Sequence, residues 1–531
     1  MRGSGWNPAF AAGLDPRQIL RSKNRDDSVI ISWGRKRRPG PEEEAAAVFL
    51  GVDIGTSSVK ATLIDEAGLP VEVAQAELPI SRPKPLWSEQ NPSDWWTATN
   101  MAVAKLDVDR RHAVKAIGLS GQMHGATLLD RAMKPLRPAI LWNDGRSFLE
   151  CEELQAGTPE FVSVGGNLVM PGFTAPKLAW VRRHEPDVFA KTEKVLLPKD
   201  YVRLRMTGEL ASDMSDSSGT LWMDVENRRW SDVLLAATGL EERHMPLLYE
   251  GPEPTGILRA EAAEAWGMSR VPVVAGGGDN AAGAVGVGVT DDGDALLSLG
   301  TSGVIFVAGK TFRSNPDSAA HAFCHALPHR WHLMSVMLSA ASCLDWAVRL
   351  TGVSGAAELI RLAERDAGLG AGETFLPYLS GERTPHNNPH ASGVLFGLTH
   401  DSGSAQIGQA VLEGVAFGMA DGLDALVASG VDVHQISVIG GGSQSLYWGR
   451  ILAAALNRPM VYRDGAATGP AYGAARLARF HVQGGAVDDM FPPPKVLDIV
   501  EPRESDIEQL APKYDKFTSL YHTIKKAFKG D

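Results

Sequence analysis

Apolar residues along this chain gather in short runs of about four to eight, each closed by glycine or a polar turn, the pattern of buried strands. The first clear pair is VFLGVDI (48–54) and VKATLID (59–65). The runs flank the small-residue turn Gly55-Thr56-Ser57-Ser58 and predict a β-hairpin. The design returns at 295–307, where two apolar runs flank Gly300-Thr301-Ser302-Gly303. Internal similarity on the scale of half a chain predicts two related halves.

Between the hairpins, VEVAQAELPI reads as a third strand, followed by a Pro- and Trp-containing loop over 81–91 and a helix from Ser93 to about Asp107. An apolar run at 114–120 predicts a buried strand that ends in Gly121-Gln122-Met123-His124-Gly125. Another strand at 138–142 exits into Asn143-Asp144-Gly145-Arg146. Helices are expected over 174–184 and from Lys199, and a polar loop over 213–219. A strand at 271–275 runs into Gly276-Gly277-Gly278-Asp279-Asn280 and then the helical AAGAVGVGV. Further on come strands around 321–336, a helix over 338–351, a polar loop with proline stops at 378–389, and an amphipathic helix over 406–429 containing Glu413. The strand 436–439 leads into Gly440-Gly441-Gly442-Ser443-Gln444, and a small-residue helix from Gly469 is expected to pack on that unit.

The chemistry sits at the strand ends. A turn of glycine and hydroxyl residues offers backbone N–H groups to phosphate oxygens, and Asp53 beside the first such turn suits a Mg²⁺ that travels with ATP. An ordinary surface turn with a solvated acid reads equally well from these residues alone. Strand exits are where open α/β sheets place ligands. Met123 and His124 are therefore candidates for a substrate pocket, against a structural histidine. Asp279 reads either as a helix N-cap or as a general base for a hydroxyl that attacks a phosphate. The glycines at 440–442 allow backbone to lie against an adenine or ribose. His321, His325, His329 and His332 resemble a metal set in spacing, but Pro328 breaks any helix there.

Length changes the picture first: 531 residues exceed one core, so two domains are expected. A net charge of −11 argues against a nucleic-acid-binding face. Three cysteines without a CxxC pair give neither a disulfide framework nor a zinc site and fit a reducing cytoplasm. No apolar run reaches the roughly 18 residues of a membrane span. Residues 1–47 are basic, then proline- and glutamate-rich, and read as a disordered tail or a non-native extension.

Ten stretches together resemble the FGGY carbohydrate kinases of the actin/Hsp70 ATPase superfamily. They include GVDIGTSSVK (51–60), LWSEQNPSDWW (86–96), GQMHGATLLD (121–130), RPAILWNDGR (137–146), VPVVAGGGDNAAGAVGVG (271–288), LSLGTSGV (297–304) and FLPYLSGERTPHNNP (375–389). The resemblance implies an α/β chain with two ribonuclease-H-like domains flanking a cleft. The first (48–290) would carry the sugar site and base, the second (291–485) the nucleotide site, with a helical tail (486–531) on the core. It implies ATP-dependent phosphorylation of D-xylulose at its 5-hydroxyl by a cytoplasmic homodimer. Carried over by motif, Asp279 would be the catalytic base, and Met123, His124, Asn280, Trp142, Asp144 and Arg146 would bind the sugar. Asp53 would act through Mg²⁺. Thr56, Ser57, Gly300, Thr301 and Ser302 would meet the phosphates, and Gly440, Gly441, Gly442 and Ser443 the adenosine. The rival expectations are a kinase for another pentulose or polyol, such as ribulose, and a sugar-independent ATP-driven switch on the same scaffold.

Overall fold

The computed structural model describes residues 19–23, 29–33, 46–464 and 469–528. Two mixed sheets organise them. The first is built from β1 (Ile19–Lys23), β2 (Val29–Trp33), β3 (Val48–Ile54), β4 (Ser58–Asp65), β5 (Pro70–Glu77), β6 (Val114–Gly121), β7 (Pro254–Ile257) and β8 (Pro272–Val274). Their spatial order is β1-β2-β5-β4-β3-β6-β8-β7. β3 pairs antiparallel with β4 and parallel with β6, and β6 pairs parallel with β8. All seven residues of β3 are buried, so an uninterrupted apolar run marks a central strand covered on both faces.

The second sheet repeats this plan. It contains β9 (Ala295–Leu299), β10 (Gly303–Gly309), β11 (His321–Cys324), β12 (Trp331–Met337), β13 (Ile436–Ile439), β14 (Met460–Arg463) and β15 (Val496–Val500), in the order β11-β12-β10-β9-β13-β14-β15. β9 and β10 form the hairpin, β9 pairs parallel with β13, and β13 pairs parallel with β14. In both sheets an antiparallel meander of three strands is extended by two parallel ones. The repeated Gly-Thr-Ser turn is thus the sequence trace of a repeated sheet, and the architecture is the two ribonuclease-H-like units that the resemblance implied.

Seven helices matter for the site: α1 (Thr174–His184), α2 (Pro198–Thr207), α3 (Met214–Ser218), α4 (Asp279–Val287), α5 (Ser404–Val427), α6 (Pro470–Gln483) and α7 (Glu504–Ile524). Three differ from expectation. The polar loop expected at 213–219 is a strand end and the helix α3, and Asp213, Ser215, Asp216, Ser217 and Ser218 have no exposed surface. The helix expected to be amphipathic, α5, is buried on most of its circumference. It is covered from the far side by α7, whose Lys513 pairs with Glu413. The expected loose extension 1–47 falls mostly outside the described residues; within it, β1 and β2 pair with each other and β2 with β5.

The small-residue helix α6 does not pack on the 436–444 unit as expected. Although in sequence it falls between β14 and β15 of the second sheet, it lies across β3 and β6 of the first sheet and against α4. Small residues make this possible. A Cβ placed on Gly118 would stand 1.9 Å from the Ala474 carbonyl oxygen, and one on Gly51 1.8 Å from that of Ala471. Backbone therefore meets backbone where β3 and β6 run beneath α6. Gly118→Val should cost about 3 kcal/mol or more, because rigid backbone on both sides cannot yield. The check is a lower urea midpoint with unchanged slope; an unaltered midpoint would show that α6 can lift away.

Candidate active site

The parallel strands β3, β6, β8, β9 and β13 all end at the cleft, and the candidate residues ride on the turns that follow them. A cavity of about 200 Å³ opens there. Met123, His124, Trp142, Asp279, Asn280 and Ser302 all line it. A second cavity of about 160 Å³ shares Asp279 and Asn280 and continues along α4 to Gly469 and Tyr472. Asp279 therefore stands where two chambers meet.

Asp279 is the first residue of α4; the N-cap is Gly278, which overturns the simple capping role. Its Oδ1 accepts from the Asn280 N–H (2.7 Å) and side-chain amide (3.0 Å). Burial, together with the nearby Asp53 carboxylate, pushes its pKa up to about 7. Asp53, the penultimate residue of β3, is pushed up to about 6, by burial against the opposing pull of Lys60. Its Oδ1 is buried with no hydrogen-bond partner.

His124 follows β6 with a left-handed backbone (φ 68°) that turns its ring into the cavity. Its Nδ1 lies 2.7 Å from the Gly219 carbonyl and donates to it. Burial, aided by the Lys177 charge, lowers its pKa to about 3, so the ring is neutral and Nε2 is a lone-pair acceptor. Lys177 on α1 lies behind the lining and donates to the carbonyls of His124 (2.8 Å) and Gly172 (2.7 Å).

The first glycine–hydroxyl turn is fixed from behind. Thr56 Oγ1 accepts from Trp142 Nε1 (3.0 Å) and donates to Gln122 Oε1 (3.2 Å). Gln90 receives the Gln122 amide (2.8 Å) and the Trp95 indole (2.9 Å) and donates to the Thr56 carbonyl (2.7 Å). The second turn is anchored by a helix start: Ala340 and Ser342 donate to the Thr301 carbonyl and Ala341 to that of Gly300. Gly440 follows β13 beside it, with φ 90° and room for no side chain against the Leu299 carbonyl. Ser57, Gly300, Thr301 and Gly440 to Gly442 lie on these turns and outside the lining of the two cavities. The Ser443 side chain lies outside the described residues.

Two expected sugar contacts are corrected. Asp144 and Arg146 are absent from the cavity wall. The Asp144 carboxylate binds the Arg146 guanidinium through both oxygens (2.8 and 2.6 Å) and accepts the Ser88 N–H. Arg146 also pairs with Glu89 (2.8 Å) and lies 3.6 Å from the Trp87 ring centre. Both charges are consumed in holding the 86–90 segment, and with it Gln90. His321, His325 and His332 form a wall of rings, with His332 stacked on Phe306 (4.1 Å) and His321 on Phe323 (5.6 Å), while His329 is exposed. Among the described residues no group of three or more His, Cys, Asp or Glu is arranged to hold a metal by itself.

Sequence reasoning missed three contributors. Gln90 and Gln122 lay inside quoted motifs, but nothing in a single glutamine signals a relay. Arg383 lines the cavity from the 378–389 loop. The third is a buried ionic cluster behind the site. Lys199 Nζ, on α2, lies 2.7 Å from Asp200, 2.6 Å from Asp213 and 3.1 Å from Asp216, with no side-chain exposure in any of them. Ser215 binds Asp213 and accepts the Gly278 N–H (3.0 Å), immediately before Asp279. Arg203 grips the Val274 and Ala275 carbonyls from the same cluster.

A buried carboxyl at a strand–turn exit beside a neutral imidazole, with glycine–hydroxyl turns from both sheets at one cleft, is the arrangement of a sugar kinase site. The chain belongs to the FGGY family of carbohydrate kinases: its N-terminal domain model matches residues 48–286 and its C-terminal domain model residues 295–481. It is 58% identical over 433 residues to the xylulose kinase of Escherichia coli (strain K12), covering 81% of this chain and 90% of that one. Identity to the xylulose kinase of Klebsiella pneumoniae is 52% over 480 residues, covering 90% and 99%. Among solved structures, a xyloylose kinase from Brucella ovis superposes with TM-score 0.87 at 48% identity, covering 90% of this chain and 100% of that one. No described helix is long and apolar enough to cross a membrane.

Removing one partner from a buried charge cluster strands the others. Lys199→Met should lose about 3–5 kcal/mol of unfolding free energy, and Ser215→Ala about 1–3 through the stranded Gly278 N–H. Equal denaturant midpoints for wild type and Lys199→Met would show the cluster to be dispensable.

Proposed function

We propose that the chain transfers a phosphoryl group from ATP to the 5-hydroxyl of D-xylulose, giving D-xylulose 5-phosphate and ADP. The carrying observation is that Asp279 and the neutral His124 line one cavity of sugar scale, with Asp279 also open to the chamber along α4. The two relatives named xylulose kinase, similar over most of their length, support the choice of sugar.

Asp279 Oδ1 is occupied by Asn280, which leaves Oδ2 to receive the proton of the attacking hydroxyl. A carboxyl poised near pH 7 suits that task. His124 Nε2 accepts a hydrogen bond from a sugar hydroxyl, and Trp142, held by Thr56, closes one wall. The turns at 55–58 and 300–303 present backbone N–H groups to the phosphates from both sheets, and Gly440 to Ser443 lie against the adenosine. Asp53 would hold Mg²⁺: its buried, unpartnered Oδ1 and carboxylate chemistry fit a hard cation that is otherwise ligated by phosphate and water. That ion supplies neutralisation of charge on the moving phosphoryl group. A cytoplasmic homodimer completes the reading, and the three buried free thiols accord with a reducing compartment.

Three measurements test this. A coupled ADP-release assay across ketopentoses and polyols should give its highest kcat/KM with D-xylulose; a preference for ribulose or a polyol would reassign the substrate. Asp279→Ala should lower kcat by at least ~10² with nucleotide affinity near wild type. The base must be ionised and its pKa is raised, so kcat/KM for the sugar should fall as pH drops through about 7. Asp53→Asn removes the like charge that raises Asp279, so in that variant the acid limb should move to lower pH. A limb that stays in place would break the link between the two carboxyls.

A further inference from the structure

Arg383 is the one cation among the residues that line the sugar cavity, and it comes from the second half of the chain. It does not sit on a loose loop. The Thr384 N–H donates to the Val336 carbonyl of β12 (3.2 Å), and the Thr384 hydroxyl accepts the Val336 N–H and donates to the Ala319 carbonyl. Glu382 Oε1 receives the N–H groups of Arg383 (2.7 Å) and Leu338 (3.3 Å). The guanidinium is thereby projected from the second sheet into a pocket whose floor belongs to the first.

Its partners there are few. Nη1 donates to His321 Nε2 (3.2 Å), and among the described residues it forms no ion pair with a carboxylate. Burial holds His321 neutral, and the adjoining Glu382 is pushed up to about 8 by its own burial. Glu382 is the acid whose charge Arg383 feels, but its Oε1 is taken up by backbone N–H groups, and the guanidinium lines the cavity instead. Its position is at the His124 end. Nη2 lies 3.6 Å from where a Cβ on Gly172 would be, and Gly172 is tied through Lys177 to the His124 carbonyl. Phe173 packs edge-on against both His124 (5.0 Å) and His321 (5.1 Å), closing that wall. The charge of Arg383 is felt by His124 and Lys177, whereas Asp279 answers to burial and Asp53.

We propose that Arg383 is a specificity-determining residue that donates its guanidinium fork to the carbonyl end of the ketose, the C1 hydroxyl and C2 carbonyl, while the C5 hydroxyl lies at Asp279. This rests on the xylulose-kinase reading. A guanidinium presents several donors in a fixed plane and no acceptor, which matches two adjacent sugar oxygens. Contact from the second half to the non-reacting end of the sugar draws the halves together only when that end is present, so remote binding energy reaches the chemical step. Losing it should therefore lower kcat as well as raise KM.

The test compares D-xylulose with 1-deoxy-D-xylulose in the full-length wild type, Arg383→Met and Arg383→Lys. Wild type should prefer D-xylulose by at least ~10² in kcat/KM, since a site built to bond a hydroxyl rejects the analogue without it. In Arg383→Met the preference should shrink below about fivefold, with the loss falling on D-xylulose, while the ADP dissociation constant stays within about twofold. Arg383→Lys, with one point donor, should fall between them, and it carries the comparison should the Met variant not fold. An equal loss with both sugars would place Arg383 at the phosphoryl group or in the scaffold and overturn the proposal, as would unchanged discrimination. A wild-type protein inactive on both sugars would overturn the xylulose-kinase reading, and this inference with it.

Discussion

The site depends on one ammonium group placed where water cannot reach it. Lys199 has no exposed surface, and neither do the three aspartates around it. Its charge is held on by those carboxylates, while burial drives Asp216 toward its protonated form. Such a cluster adds little stability over an apolar core of equal volume. What it supplies is position. Through Ser215 it holds the N–H of Gly278, through Arg203 the carbonyls of β8 and the residue after it, and through α3 the Gly219 carbonyl that orients His124. The proposed base and the neutral imidazole are registered against the same buried charges.

Desolvation then acts on the two in opposite senses. A carboxyl out of water gains affinity for its proton, and an imidazole loses it. The same dry pocket thus raises Asp279 toward neutrality and keeps His124 uncharged far below it. The carboxyl and the imidazole coexist in one pocket without pairing with each other. Asp53 adds like charge on one side of Asp279, and Arg383 stands as the lone cation at the other end of the pocket.

Much of this was legible in the sequence where a residue type has few other uses. Repeated Gly-Thr-Ser turns between apolar runs marked both hairpins, and glycines before Asp279 marked a strand exit. The extent of α1 matched its periodicity. Where polar residues serve the interior, the reading failed. Asp213 to Gly219 looks like a solvated loop because its partners, Lys199 and Arg203, come from an earlier helix. Asp144 and Arg146 look like ligand contacts at a strand end, yet each is the other's partner beside Trp87. Arg383 lay in a proline-stopped loop whose direction only β12 determines. The placement of α6 escaped because small residues report close packing without saying on what.

The crossing of α6 over the first sheet also bears on how the molecule moves. A helix that follows β14 of the second sheet but is seated, backbone to backbone, on β3, β6 and α4 of the first half leaves no room for sliding at that seat. Asp279, at the head of α4, is thereby anchored to the same seat, since Gly473 of α6 packs directly on the Ala282 carbonyl of that helix.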